Sequence, residues 1–447
     1  MLESIVRSLA ESLIKLYYPE RIVENARALP ASGPVIFVAN HPNGLLDPLV
    51  LRVSSGRPVQ FLAKSGLFGN PAGRLAMNAF GCVPVYRAHD RSASDQDRAA
   101  ANERTFAVCR ERLARGAALA LFPEGTSHSD PQLKPLKTGA ARIALSAERE
   151  HQERTGQPLG LVVVPVGLGF EAKAIFRSRV LVVVGAPIPV AERMEEYRRD
   201  ERAAVERLTD DVRAALDEVV LQASHRDLLE GVARVAAWTA PEGEGEDLGA
   251  QHRRARELLG AYRTLNERSP ETVEPIVSAA RSYQRILRHL GVRDPWALEL
   301  EPVRPARALG AVLRLLVALP VALLGALLGW IPYRLAGQVA KRVSKEEDVL
   351  GTVKLLAGAA FLFVFWLAES IFAGTRWGVG WGLLTFPVAM ASGYVALRFE
   401  ELLAEVSESV RHGWLRAAAP KHVRRLAERR RALAEEISRA LKSAASG

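Results

Sequence analysis

Two side chains near the start of the chain have the types and spacing of a proton-transfer pair. His41 follows an apolar run at residues 35–39, and Asp47 comes six residues later, just before Pro48. A carboxylate beside a histidine fixes the ring tautomer and stabilises the imidazolium as it forms, which is what a general base needs. The same pair beside a turn can equally cap a helix or sit solvated, and this stretch alone does not choose. Further on, Phe122-Pro123-Glu124-Gly125-Thr126-Ser127 offers a carboxylate, two hydroxyls and a glycine that lets backbone approach a ligand. Lys134 and Lys137 then precede an expected helix from about Gly139, where basic groups and a helix start can hold an anion together. Gly81 to Arg87 ends on a guanidinium, which is either a solvated edge charge or a fork for phosphate oxygens. Lys64 closes another apolar run.

These residues need strands and turns to bring them together. Residues 35–39, 59–64, 81–87, 117–122, 161–166 and 180–184 are short apolar runs that read as strands, the last two β-branched and bounded by Gly and Pro. Pro42, Asn43 and Gly44 form a turn, and Pro48 at a first helical position makes Asp47 the expected N-cap. Helical stretches alternate with the strands from about residue 34 to 225. The fold class is therefore α/β, a largely parallel sheet flanked by helices. His41, Arg87 and Glu124 then lie at strand C-terminal ends, where open α/β sheets bind ligands.

At 447 residues the chain needs more than one such domain. Residues 226–300 are expected as a helical subdomain, with an acidic Gly-rich break at 241–247 and a Pro-rich linker at 294–305. The net charge of +10, from 60 Lys and Arg against 50 Asp and Glu, suits anionic membrane surfaces, nucleic acid or phosphate-bearing substrates. No P-loop, Rossmann fingerprint or zinc spacing is present, and no nucleic-acid motif accompanies the charge, so no nucleic-acid partner and no metal are expected. Cys82 and Cys109 make no disulfide framework, which fits a reducing, cytosolic setting, with Cys82 in the core. The start of the chain lacks a secretory signal. Residues 1–18 form an amphipathic helix, with Ile5, Leu9, Leu13 and Leu16 on one face. That face covers the core of the body or lies on a membrane, the core being preferred.

A membrane-embedded helical part is expected over residues 306–398. Residues 349–372, which carry Thr352 and Lys354, and residues 377–397 have the length and apolarity to cross, with Lys354 snorkelling at one end. Residues 306–332, broken by Pro320, fit a helix or a re-entrant hairpin. Arg334, Lys341, Arg342 and Lys345 on one flank, and ten basic residues against Glu428, Glu435 and Glu436 from Arg411 to Lys442 in the tail of 399–447, place both flanks on the cytosolic side. The tail is either a solvated helix or a surface for anionic lipid headgroups.

His41 to Asp47, Gly81 to Arg87, Phe122 to Ser127 and Val164-Pro165-Val166 occur in that order at the ends of successive strands. This ordered set, over about residues 34–190, resembles the glycerolipid acyltransferase family. The family pattern has four residues between His and Asp, and here there are five. On a continuous helix the extra residue would turn Asp47 by about 100°, so the turn must absorb it. The form His-x-Asn-x-x-x-Asp-Pro resembles the branch of fungal glycerol-3-phosphate and dihydroxyacetone-phosphate acyltransferases, which also carry hydrophobic segments after the catalytic domain. The resemblance implies acyl transfer from acyl-CoA or acyl carrier protein, as co-substrate and with no cofactor, onto a glycerol-phosphate hydroxyl. His41 and Asp47 would be catalytic. Arg87, Glu124, Gly125, Thr126, Lys64 and Lys137 would meet the acceptor, and Glu124 would accept a hydroxyl or orient Arg87. Asn43, Gly81, Pro123 and Pro165 would support the motifs, and the Gly125 backbone would help hold the oxyanion. The alternatives are acylation of lysophosphatidic acid, lysophospholipid remodelling, and a tethering protein with a dead acyltransferase domain. The expected location is an integral membrane protein with its catalytic domain on the cytoplasmic face.

Overall fold

The structure is a computed structural model that describes residues 1–86, 95–241, 247–292, 295–300, 305–344 and 346–445. Arg87 and Lys345, with most of the acidic break and part of the Pro-rich linker, lie outside the described residues. The chain forms two units. One comprises Met1–His225 with Ser344–Leu355, and the other comprises Arg226–Val343 with Leu356–Gly447.

Eight strands build the sheet of the first unit: β1 (Arg21–Glu24), β2 (Val35–Ala39), β3 (Val59–Lys64), β4 (Val83–Val85), β5 (Ala118–Leu121), β6 (Val162–Phe170), β7 (Val180–Val184) and β8 (Ile188–Pro189). Its helices are α1 (Leu2–Tyr17), α2 (Leu46–Ser54), α3 (Pro71–Ala79), α4 (Asp95–Ala114), α5 (Gly139–Thr155), α6 (Met194–Arg199) and α7 (Glu201–Val219). The strand order is β1-β7-β6-β2-β5-β3-β4, with β8 pairing β6. All pairs are parallel except β6 with β7 and β6 with β8. Central parallel strands are covered on both faces, so they read as unbroken apolar runs. Every residue of β2 is 0% exposed, and each large side chain so buried stabilises the fold by about 1.5–3 kcal/mol.

The middle of the sheet fixes the site. β2 lies between β5 and β6, with Val38 opposite both Leu121 and Pro165. His41 and Glu124 each come three residues beyond their partner in that register, so they emerge side by side. Pro165 is buried, and its carbonyl accepts the Gly185 N–H at 2.9 Å. Asn40 ties the end of β2 to β6 by a two-way bond with the Leu168 backbone, at 3.1 and 2.7 Å.

The amphipathic helix divides its duties. Ile14, Tyr17 and Tyr18 enter the core, and Glu11 binds Arg52 of α2 at 2.7 Å. Leu2, Ile5 and Leu9 stay exposed. The unit expected over residues 19–225 thus also takes in this helix and, less expectedly, Ser344–Leu355.

The second unit is helical: α8 (Arg226–Trp238), α9 (Leu248–Arg268), α10 (Pro270–Leu290), α11 (Pro295–Leu300), α12 (Pro305–Val343), the greater part of α13 (Glu347–Trp377), α14 (Val379–Ala418) and α15 (Pro420–Ala445). Segments Leu309–Val343, Glu347–Trp377 and Val379–Ala418 are long and apolar enough to cross a membrane. α12 runs unbroken through Pro320 and Pro332, so of the two expectations for residues 306–332 the helix forms and no hairpin turn interrupts it. Gly378, at φ +103°, lies between α13 and α14, and beside it Gly374 and Gly382 let the two backbones approach. The basic tail is neither wholly solvated nor all surface. Leu426 joins a core with Trp238 and Tyr283, and Arg430 stacks over Trp296 with its guanidinium carbon 3.6 Å from the ring centroid.

Candidate active site

His41 leaves β2 with its ring stacked on Phe122, centroids 4.0 Å apart and planes within 13°. Its Nδ1 is 2.8 Å from Asp47 Oδ2. The same carboxylate oxygen accepts the Asn43 N–H at 2.7 Å. A carboxylate can only accept, so Nδ1 carries the proton and Nε2 is left as the basic nitrogen. Asp47 is fully buried, while the His41 side chain keeps 16% of its surface. Burial pushes the Asp47 carboxyl up from its ordinary value, and the hydrogen bonds from His41 and Asn43 pull it back. The expectation that Asp47 is the N-cap needs correcting. α2 starts at Leu46 with Leu45 as its cap, and Asp47 stands in the first turn. Its carboxylate is spent on the loop before the helix rather than on the helix's own amides.

That loop is held from below by α1. Asn43 is 0% exposed, and its amide donates to the Tyr18 hydroxyl at 2.8 Å and to the Lys173 carbonyl at 3.0 Å. Tyr18 donates to the same carbonyl. Burial pushes the Tyr18 phenol up, which keeps it protonated and able to donate.

Glu124 lies beside the His41 backbone. Its Oε1 accepts the His41 N–H at 3.2 Å, and its Oε2 accepts the Lys134 N–H at 2.8 Å and pairs with His128 Nε2. His128 Nδ1 accepts from the Asp130 N–H at 3.2 Å, so Nε2 is the protonated nitrogen and donates to Glu124. The His128 N–H in turn bonds the His41 carbonyl at 3.0 Å. Both carboxylate oxygens therefore brace the His41 backbone and the loop at 128–134. His128 carried no weight in the sequence reading; the signal available was a second histidine one helical turn after Glu124.

Gly125 has φ +74°, and an added Cβ would fall 2.5 Å from Lys137 Nζ, so the lysine chain lies over a glycine. The Gly125 N–H is already bonded to the Phe122 carbonyl at 2.9 Å, which removes it as an oxyanion donor and corrects that expectation. Lys137 is exposed, and its N–H bonds the buried Pro123 carbonyl at 2.8 Å. Thr126 and Lys64 are exposed, Lys64 at the C-terminal end of β3, next to β5. The Lys134 ammonium pairs with Asp130 at 3.2 Å. Gly81, at φ +61°, makes the turn before β4, with its carbonyl accepting from Arg112. Arg87 follows β4 outside the described residues. Among the described residues no cluster of His, Cys, Asp and Glu could hold a metal ion.

A buried carboxylate, a histidine with one nitrogen held and one basic, and lysines at the same sheet end make an arrangement that can take a proton from a hydroxyl beside an anionic group. Comparisons with known proteins agree with that chemistry. Residues 20–169 match the Acyltransferase family. The chain is 24% identical to an uncharacterized acyltransferase of Schizosaccharomyces pombe, over 89% of this chain and 74% of the relative. It is 27% identical to glycerol-3-phosphate O-acyltransferase 1 of Saccharomyces cerevisiae, over 73% of this chain and 45% of that enzyme. A chloroplast 1-acyl-sn-glycerol-3-phosphate acyltransferase of Brassica napus is 34% identical over 33% of this chain and 36% of its own length. The chain thus spans less than half the length of the two enzymes named by substrate. Residues 20–169 thus form an acyltransferase-family domain, and the chain is similar to the fungal glycerol-3-phosphate enzymes and, over its catalytic part, to 1-acylglycerol-3-phosphate enzymes.

Proposed function

We propose that this protein moves a fatty acyl group from an acyl thioester, acyl-CoA or acyl carrier protein, to a hydroxyl of glycerol 3-phosphate or dihydroxyacetone phosphate. The observation that carries the reading is the 2.8 Å contact between His41 Nδ1 and the buried Asp47, which leaves Nε2 basic. Nε2 takes the hydroxyl proton as the alkoxide oxygen attacks the thioester carbonyl. Asp47 stabilises the imidazolium. The tetrahedral intermediate collapses, the C–S bond breaks, and the thiolate takes the proton back from His41. Arg87, Lys64 and Lys137 receive the acceptor phosphate, and Glu124 holds the His41 backbone in place for the transfer. The catalytic domain faces the cytoplasm beside the bilayer, where a lipid product partitions.

A second reading, acylation of lysophosphatidic acid, draws on the Brassica relative, which is 34% identical over 147 residues. Purified protein in detergent, given one labelled acyl-CoA and each acceptor in turn, decides between them. Glycerol 3-phosphate or dihydroxyacetone phosphate should be acylated fastest. A faster reaction with lysophosphatidic acid establishes the second reading, and inactivity with every acceptor sinks both.

A further inference from the structure

We infer that the first turns of α13, a helix apolar enough to cross a membrane, are part of the catalytic apparatus and position the His41–Asp47 pair. The inference rests on His41 acting as the base. Thr352 Oγ1 accepts the Leu45 N–H at 3.2 Å. Leu45 caps α2, and its N–H belongs to the loop that carries the extra residue between His41 and Asp47. One residue earlier, Gly351 lies flat against the same loop. A Cβ on Gly351 would come within 2.9 Å of Asn43 Oδ1, 2.9 Å of Leu46 Cδ1 and 3.0 Å of the Lys173 carbonyl. From the other side, a Cβ on Gly44, which has φ +52°, would come within 3.1 Å of the Asp348 carbonyl and 3.3 Å of Thr352 Oγ1.

The contact is anchored beyond the loop. Lys354 Nζ donates to the Ala174 carbonyl at 2.7 Å, so this lysine is fixed on the first unit rather than reaching for lipid headgroups as expected. Leu355 packs against the core of the sheet. Asn43 is the point where the two sides meet. Its N–H holds Asp47, its amide nitrogen holds Tyr18 and the Lys173 carbonyl, and its oxygen faces Gly351. A shift of α13 at this point therefore moves the carboxylate that orients His41. In an otherwise apolar stretch, Gly351 and Thr352 meet the catalytic loop, and Lys354 fixes the same turns to the Ala174 carbonyl. They are positioning residues: none of them touches His41.

The test compares full-length wild type with Thr352→Val, Thr352→Ser and Gly351→Ala, using palmitoyl-CoA and whichever acceptor the wild type acylates. Misplacing a reacting group through a distant change lowers turnover by up to about 10²-fold. The Thr352→Val and Gly351→Ala proteins should lose kcat by about 10- to 100-fold, with both KM values and the thermal midpoint little changed. Thr352→Ser keeps the accepting oxygen and should restore most of the turnover. Wild-type kcat in both Thr352→Val and Gly351→Ala overturns the inference while leaving the acyl-transfer reading intact. A loss that tracks a lowered melting temperature and is not rescued by serine also overturns it, because that is the signature of general destabilisation. An inactive wild type overturns the acyl-transfer reading instead.

Discussion

Replacing Asp47 by asparagine separates what its charge does from what its shape does. Oδ2 alone accepts both the His41 Nδ1–H and the Asn43 N–H, while Oδ1 has no hydrogen-bond partner. An asparagine can therefore put its oxygen where Oδ2 was and keep both bonds. The ring stays in the right tautomer, and what disappears is the negative charge. At 2.8 Å and an effective dielectric constant of about 20, a carboxylate attracts an imidazolium by about 6 kcal/mol. At 1.36 kcal/mol per factor of ten, that is an upper bound a little above 10⁴ in rate, and with relaxation kcat should fall by about 10²–10⁴. Stability should move differently. The folded Asp47 carboxyl sits above its ordinary value because it is buried. Its ionised form is thus disfavoured by the fold, and its contribution to stability is lost as pH rises through that raised value. Asparagine has no charge to desolvate but leaves one buried N–H₂ without an acceptor, at about 1–3 kcal/mol. The two terms oppose, so the melting temperature at neutral pH should change little. The assay is steady-state kinetics with each substrate varied, beside a thermal melt. A variant with kcat within about tenfold of wild type would refute the charge argument.

Glu124→Gln should behave in the opposite way. One amide oxygen cannot serve donors on both sides, so at least one buried donor faces an N–H₂ at a cost of about 1–3 kcal/mol; the thermal midpoint should fall together with kcat, and an unchanged midpoint would show that Glu124 does not brace the loop. Single cysteines at Gln338, Thr375 and Ala445, in a background lacking Cys82 and the buried Cys109, whose thiol burial pushes up to about 12, test the membrane topology. An impermeant thiol reagent applied from outside should label Thr375→Cys and spare the other two; labelling of Gln338→Cys would place the catalytic unit on the wrong side.

How much of this was legible in the sequence depends on how far apart the partners are. β2 and β5 could be read because buried parallel strands are unbroken apolar runs, and the residues just past their ends named His41 and Glu124. The partners of Glu124 could not be read, because two of its three donors are backbone N–H groups that arrive by strand register and loop path, and such donors have no side-chain signature. Tyr18 looked like the end of an amphipathic helix, and Thr352 like a polar break in an apolar run. Each takes its meaning from Asn43 and Leu45, which only the folded chain brings near. The β1 strand was missed for a similar reason: it is four residues long and half-exposed, so it shows neither alternation nor an apolar run.

The extra residue between His41 and Asp47 shows why these distant contacts matter. On a helix it would have carried Asp47 away from the ring. The loop avoids this by leaving helical geometry at Gly44, at φ +52°, so Asp47 enters the first turn of α2 within 2.8 Å of His41. A loop of that kind leaves backbone donors without the partners a helix would supply. The Asn43 N–H goes to Asp47 and the Leu45 N–H to Thr352. The first is local and is satisfied by the catalytic carboxylate itself. The second is satisfied from a helix more than three hundred residues away in sequence. A longer His–Asp loop and a polar threonine at the start of α13 are therefore two halves of one feature: without Thr352 the half-buried Leu45 N–H loses this acceptor, and the loop loses the contact that holds its position.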